Sequence, residues 1–247
     1  MNYIIYDLEF NQKHPNIIEV EGNNDSNLRF EIIQIGALKL NESFETISTF
    51  NSLIKPTVHT TIHPYVENLT KINDDKISLC KSFPDVYDDF IRFIGDDETV
   101  LCVWGIVDVK ELMRNIKFHN LSTLSISKYY IDIQKYASKY FKVPKGCRIG
   151  LKNAIEFLNI STEGEFHDAF NDAYYTTEVF KSIHNDHMKP EIYSPSPSRR
   201  VEQPKEKIDI VALINQFERM YGREMSLEEQ SLIKLAYIMG KTKQFIL

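Results

Sequence analysis

An α/β domain built on a mixed sheet, with flanking helices and a small C-terminal helical appendage, is what this sequence predicts. Three observations carry that reading. Apolar runs of strand length come in succession near the N-terminus. Further such runs then alternate with segments of helical spacing, and a proline-bearing stretch separates all of this from two short amphipathic segments. The 247 residues are 43% hydrophobic and 26% charged, enough for a full core and too apolar for a disordered chain. No apolar run approaches the roughly 20 residues that cross a membrane. The N-terminal Met1-Asn2-Tyr3-Ile4-Ile5-Tyr6-Asp7 lacks the positive region of a signal peptide. Cys80, Cys102 and Cys147 are widely spaced with no CxxC pair, so they read as reduced thiols of a cytoplasmic protein.

Tyr3-Ile4-Ile5-Tyr6 is short, apolar and partly β-branched, which predicts a buried strand. Asn11 to Asn27 is polar and asparagine-rich, which predicts a long loop. Glu31 to Leu38 is the second strand and Thr46 to Ile54 the third. With no helical segment between them, the three are expected to form an antiparallel meander. Phe83, Val86, Tyr87, Phe90, Ile91 and Ile94 have helical spacing. Val100 to Trp104 is the fourth strand, Val107 to Ile116 a helix, and Tyr129-Tyr130-Ile131 the fifth strand. Helices are expected near Ile133–Phe141, Leu151–Leu158 and Ala169–Ile183.

Pro190, Pro195, Pro197 and Pro204, among serines and mixed charges, predict a linker over 188–207. The expected division is a main domain over 1–187, that linker, and an appendage over 208–247. In the appendage Ile210, Val211, Leu213, Ile214 and Phe217 make one helix amphipathic. Ser226 and Glu229 form a capping box ahead of a second, from Leu227 to Ile238. Two helices of this size bury little alone. They are expected to dock on the main domain, on each other, or on a second copy or protein partner.

The net charge of −6 is unevenly spread: residues 1–186 hold 19 Lys+Arg against 27 Asp+Glu, and residues 187–247 hold 10 against 8. Within the acidic part, 110–152 is the exception, with ten Lys or Arg against only Glu111 and Asp132. Aromatic residues interleave with these cations, a pattern that suits a phosphate backbone as well as it suits solvated helix surfaces.

Asp7-Leu8-Glu9 ends the first strand, where period-two alternation puts both carboxylates on one face. Two acids side by side repel unless a cation or proton separates them, and hard oxygen ligands suit Mg²⁺ or Mn²⁺. Asp108 follows the fourth strand and starts a helix. His167-Asp168-Ala169-Phe170-Asn171-Asp172-Ala173 opens the last helix of the domain, with Asp168 as its cap and Ala169 and Ala173 small enough for close approach to the sheet.

Taken singly, each of these acids has an ordinary structural reading. In order, D-x-E, a later Asp and H-x-x-x-x-D resemble the His-containing branch of the DEDD exonuclease superfamily, over residues 1 to about 185. Glu31-Ile32-Ile33-Gln34-Ile35-Gly36-Ala37 is similar to that family's second strand, Leu69-Thr70-Lys71-Ile72 to its L-T-x-I segment, and Leu151-Lys152-Asn153 to its late helix. Trp104-Gly105-Ile106-Val107-Asp108 resembles the second motif of the Eri-1-like and KapD-like branch, while Asn11 departs from the more usual Thr.

The resemblance implies a ribonuclease H-like fold with a mixed five-stranded sheet. It also implies a 3′→5′ exonuclease that releases nucleoside 5′-monophosphates from single-stranded RNA or DNA ends, RNA slightly favoured. Asp7, Glu9, Asp108 and Asp172 would hold two ions of Mg²⁺ or Mn²⁺, and His167 would take the proton of the attacking water, a task suited to an imidazole. A base at the 3′ terminus needs an apolar contact, for which Phe10, with Leu8 and Trp104, is the candidate. The alternative is a nucleic-acid-binding or signalling interaction protein on the same fold, with no catalysis.

Overall fold

The computed structural model describes residues 1–14, 28–195 and 210–241. The chain divides into two compact units, Met1–Pro195 and Ser196–Leu247.

In the first unit, β1 (Asn2–Gln12), β2 (Phe30–Leu40) and β3 (Thr46–Leu53) pair antiparallel in succession, as their adjacency in sequence predicts. Three helices follow: α1 (Pro64–Thr70), α2 (Asp74–Ile77) and α3 (Phe83–Ile94). β4 (Thr99–Val103) then lies parallel beside β1. α4 (Val107–Phe118) leads to β5 (Tyr129–Asp132), parallel to β4. α5 (Ile133–Tyr140), α6 (Leu151–Leu158) and α7 (Ala169–Ile183) complete the helices of this unit.

The sheet order is β3-β2-β1-β4-β5-β6, six strands where five were expected. The sixth, β6 (Glu191–Ile192), pairs antiparallel with Tyr129 and Tyr130 of β5. It lies inside the stretch expected as a linker, because two residues between prolines carry no periodic signal. Glu191 forms an ion pair with Lys135 and accepts a hydrogen bond from the Tyr130 hydroxyl at 3.3 Å, while Tyr193 packs on the core. Residues 196–207 of the expected linker lie outside the described residues, as do residues 15–27 of the expected N-terminal loop. The beginning of that loop, Asn11 and Gln12, is strand.

Each face of the sheet has its own core. Ile4, Tyr6 and Leu8 of β1 pack with Val86 and Phe90 of α3 and Leu112 of α4. Tyr3 and Ile5, pointing the other way, pack with Ala137 of α5, Ile155 of α6, and Tyr175, Val179 and Phe180 of α7. Burying each of these larger side chains contributes about 1.5–3 kcal/mol, and the alternation of β1 decides which helix layer each residue meets.

Ending the chain at His187 removes β6, the Lys135–Glu191 pair and the Tyr193 contact. Compared with a chain ending at Pro195, it is expected to lose about 1–2 kcal/mol, which for a unit of this size is a melting point lower by ~2–8 °C. Identical melting curves for the two proteins would show that β6 adds nothing to the fold.

In the second unit, α8 (Ile210–Tyr221) and α9 (Leu227–Lys241) are joined by a turn built on the expected capping box. Ser226 N donates to Glu229 Oε2 at 2.9 Å and Glu229 N to Ser226 Oγ at 3.3 Å, and Arg223 grips the same carboxylate through both guanidinium arms. Ile210, Val211, Leu232 and Leu235 are exposed on this unit. Among the described residues no helix is long and apolar enough to cross a membrane.

Candidate active site

Asp7 and Glu9 follow Tyr3 and Ile5 onto the α7 face of the sheet, as alternation along β1 requires. Across the β1–β2 ladder Asp7 stands opposite Gly36 and Glu9 opposite Gln34, and a bulge follows between Glu9 and Phe10. Those two β2 residues bring α7 to the carboxylates. A Cβ at Gly36 would lie 2.2 Å from Ala169 C and Phe170 N, so only a residue without a side chain lets the first turn of α7 rest on the sheet. Gln34 then holds that turn from both sides: its Nε2 donates to Asp168 Oδ2 at 3.0 Å and its Oε1 accepts from Ala169 N at 3.2 Å. Asp168 caps the helix through Phe170 N and Asn171 N, as expected.

This packing sets Asp172, one turn into α7, against Glu9. The ligand atoms of Glu9, His167 and Asp172 all lie within 4.8 Å of one another. His167 itself is exposed, with its backbone in the left-handed region at φ 65°. Its backbone N–H donates to Asp172 Oδ2 at 3.1 Å, which ties the histidine to the acid through the main chain and leaves the imidazole clear. The other oxygen, Asp172 Oδ1, is buried with no hydrogen-bond partner.

Asp108 reaches the same place from the opposite layer. β4 ends at Val103, Gly105 turns the chain at φ +100°, and Asp108 is buried in the first turn of α4.

Asp7, Glu9, Asp108 and Asp172 thus crowd one edge of the sheet, and none is in an ion pair with a Lys or Arg among the described residues. Burial, then the charges of Asp108 and Asp172, holds the Asp7 carboxyl well above the usual carboxylate range. Burial and the Asp172 charge push Glu9 up to about 9. Burial is also the main cause that raises Asp108 to about 8. Burial raises Asp172 only to about 6, because the His167 backbone hydrogen bond and the His167 ring oppose it. A cluster of this kind holds protons or a cation. Its donors are carboxylate oxygens with one imidazole beside them, and it contains a buried oxygen without a partner, which fits a hard divalent cation.

The site therefore has a signed pH dependence. Raised carboxyl pKa values mean that the folded protein binds more protons than the unfolded chain. In chelator, the contribution of these acids to stability falls as pH climbs from the ordinary carboxylate value near 4 towards about 9. A divalent cation replaces those protons, so Mn²⁺ is expected to raise the melting point more at pH 8.5 than at pH 5.5. A gain that is absent, or equal at both pH values, would contradict a cation site here.

The three side chains expected to contact substrate are placed differently. Leu8 is 4% exposed, in the core on the face opposite Asp7 and Glu9, so its side chain does not line the site. The same alternation that joins the acids turns it away. Phe10 is half-buried against that same core, its ring 6.2 Å from Phe30. Trp104 is half-buried against the α7-side core with its indole Nε1 buried and unpartnered, at the end of β4 beside the Gly105 turn.

The model of the family described as "Exonuclease" matches residues 4–180. The chain belongs to the exonuclease family. Among similar proteins of this family, the 3′-5′ exoribonuclease 1 of Rattus norvegicus is 25% identical over 161 residues, covering 62% of this chain and 46% of that protein. The chain thus spans about half the length of this relative, 46%. The probable 3′-5′ exonuclease KapD of Bacillus subtilis (strain 168) is 25% identical over 190 residues, covering 74% of this chain and 85% of that protein. The solved nuclease domain of 3′hExo, a DEDDh family member bound to rAMP, superposes with a TM-score of 0.64 at 23% identity, over 78% of this chain and 96% of that one. That likeness is one of fold. The six-stranded exonuclease sheet described above is the ribonuclease H-like architecture that the motifs imply.

Gly36 and Gln34 are the positioning residues that reading for acids alone misses. Gly36→Ala is expected to leave a folded protein but drive α7 away from Asp7, lowering any hydrolytic turnover by about 10-fold or more. Full turnover in a folded Gly36→Ala protein would show that the close approach is not needed.

Proposed function

We propose that this exonuclease-family chain is a divalent-cation-dependent 3′→5′ exonuclease acting on single-stranded ends, RNA favoured over DNA, and releasing nucleoside 5′-monophosphates. The observation that carries the reading is the gathering of Glu9, His167 and Asp172 within 4.8 Å, with Asp7 and Asp108 acting electrostatically on the same point.

Asp7, Glu9, Asp108 and Asp172 are the residues that would hold two ions of Mg²⁺ or Mn²⁺. When bound, such ions neutralise charge at phosphorus and ease departure of the leaving oxygen. Everything else falls to the chain itself. A water oxygen attacks the terminal phosphorus and its proton passes to the imidazole of His167. The bond from phosphorus to the 3′ oxygen of the penultimate nucleotide breaks, and that oxygen takes up a proton. The strand is left with a new 3′-hydroxyl and the last nucleotide departs as a 5′-monophosphate. The backbone bond from His167 to Asp172 keeps the base beside the carboxylates throughout.

The preference for RNA is supported by two similar proteins, the 3′-5′ exoribonuclease 1 of Rattus norvegicus and that of Mus musculus. Recognition of RNA rests on its 2′-hydroxyl. Strands of one sequence, as RNA and as DNA, degraded side by side in Mn²⁺ test it: faster shortening of the RNA is expected, and faster shortening of the DNA overturns the preference.

A further inference from the structure

Between Ile133 and Ile155 the chain carries six cations and no acid, inside a region where acids otherwise outnumber bases. This segment is α5, the loop 141–150 and the first residues of α6, with Glu156 the next acid, and both ends of its loop have a defined place relative to the site.

The end of the loop is pinned to the edge of the sheet that carries the carboxylates. Gln134 Nε2 donates to Ile149 O at 3.0 Å, Ile149 N donates to Ser138 Oγ at 3.1 Å, and Arg148 lies 3.6 Å from Asp132 at the end of β5. Gln134 also touches the turn that leads to Asp108, since a Cβ at Gly105 would sit 3.1 Å from its Oε1. β5 is two strands from β1 in the sheet. At roughly 4.8 Å per strand, Arg148 is anchored about 10 Å from the level of Asp7.

From there the segment runs away from the site. α5 has 8 residues, and Tyr140 at its far end lies about 12 Å along the helix from the edge. Tyr140 is 55% exposed and Phe157, near the end of α6, is 65% exposed. Phe141 lies between them, its ring 5.1 Å from that of Tyr140 and 5.5 Å from that of Phe157. Lys142, Lys145 and Lys152 are exposed, and among the described residues no carboxylate lies within ion-pair reach of them. Lysines outside any ion pair beside a shelf of exposed rings are the two parts of a sequence-tolerant single-strand surface: phosphates meet the cations and bases stack on the rings.

We infer that the α5–α6 segment is a track for the single strand on the 5′ side of the cleaved bond. Lys142, Lys145, Arg148 and Lys152 follow its backbone, and Tyr140 and Phe157 receive its bases. This inference rests on the proposed nuclease reading. It deepens it by making turnover depend on strand length.

The test uses the full chain and the variant Lys142→Glu/Lys145→Glu/Lys152→Glu, all three exposed positions, with an unchanged melt as the check on folding. Cleavage of a dinucleotide and of a 20-nucleotide single strand is measured in Mn²⁺, and binding of the labelled 20-mer is measured in chelator, where nothing is cut. The expected result is dinucleotide turnover within about twofold of the parent and at least tenfold weaker binding and kcat/KM for the 20-mer. The salt dependence of 20-mer binding should also flatten, its log–log slope falling by about 2, at roughly 0.7 per lost phosphate contact on a single strand. Equal 20-mer binding by the two proteins overturns the track, as does failure of the parent to bind the 20-mer. If the parent binds the 20-mer through these lysines but cuts neither substrate, the track stands and the nuclease reading falls.

Discussion

Asp7→Ala is expected to remove nucleotide release, by about 10⁴-fold or more, while single strands still bind. The size follows from position. Asp7 lies on β1 between the two other sources of charge, and Asp108 from one helix layer and Asp172 from the other are its strongest electrostatic neighbours. Charge from both helix layers converges on it, so its loss is expected to disturb both proposed ions. The same change has an opposite sign for the metal-free fold. Replacing a carboxyl crowded by other acids with a neutral amide relieves repulsion and the need to take up a proton, and Asp7→Asn is expected to melt higher than the parent in chelator at pH 8. A variant that loses activity and also loses stability in chelator would mean that Asp7 is a structural residue.

His167 carries the second large effect. His167→Ala is expected to lower turnover by about 10²–10⁴-fold with single-strand binding nearly intact, as loss of a general base does. Its backbone supplies a separate, structural service, because the N–H to Asp172 survives any side-chain change. The φ of 65° suits Asn better than most residues, so His167→Asn keeps the loop geometry and removes the base. If His167→Asn turns over like the parent, the imidazole does no proton transfer. If both variants fail alike while Asp172 is held in place, the side chain is the base.

Much of the fold was legible because strong periodicity survives in the sequence. The helices at Phe83–Ile94 and Leu151–Leu158 match their apolar spacing, and the meander follows from three apolar runs with no helix between them. The short elements were not legible. α2 is one turn held by Asn73, and β6 is two residues whose identity as strand comes wholly from the β5 edge. The acids and His167 were legible as an ordered set, yet their assembly depends on residues without charge. Gly36 and Gln34 interrupt the apolar run from Ile32 to Leu38, and their oddity there was the available signal for close approach and helix clamping. The Leu8 side chain turns into the core for a reason already contained in the alternation that joins Asp7 to Glu9. The basic segment was visible as composition, and only the pinning of Ile149 and Arg148 to the sheet edge gives it a direction.

The most direct measurement follows a short single-stranded RNA carrying a labelled 3′-terminal nucleotide through incubation with the full chain, first in EDTA and then with excess Mn²⁺. The expected result is an intact strand in EDTA and release of the labelled residue as a 5′-monophosphate once Mn²⁺ is present, with Asp7→Ala inert in both. Equal release in chelator, or an untouched strand in Mn²⁺ from a protein that melts cooperatively, would contradict the cation-dependent exonuclease reading of this site.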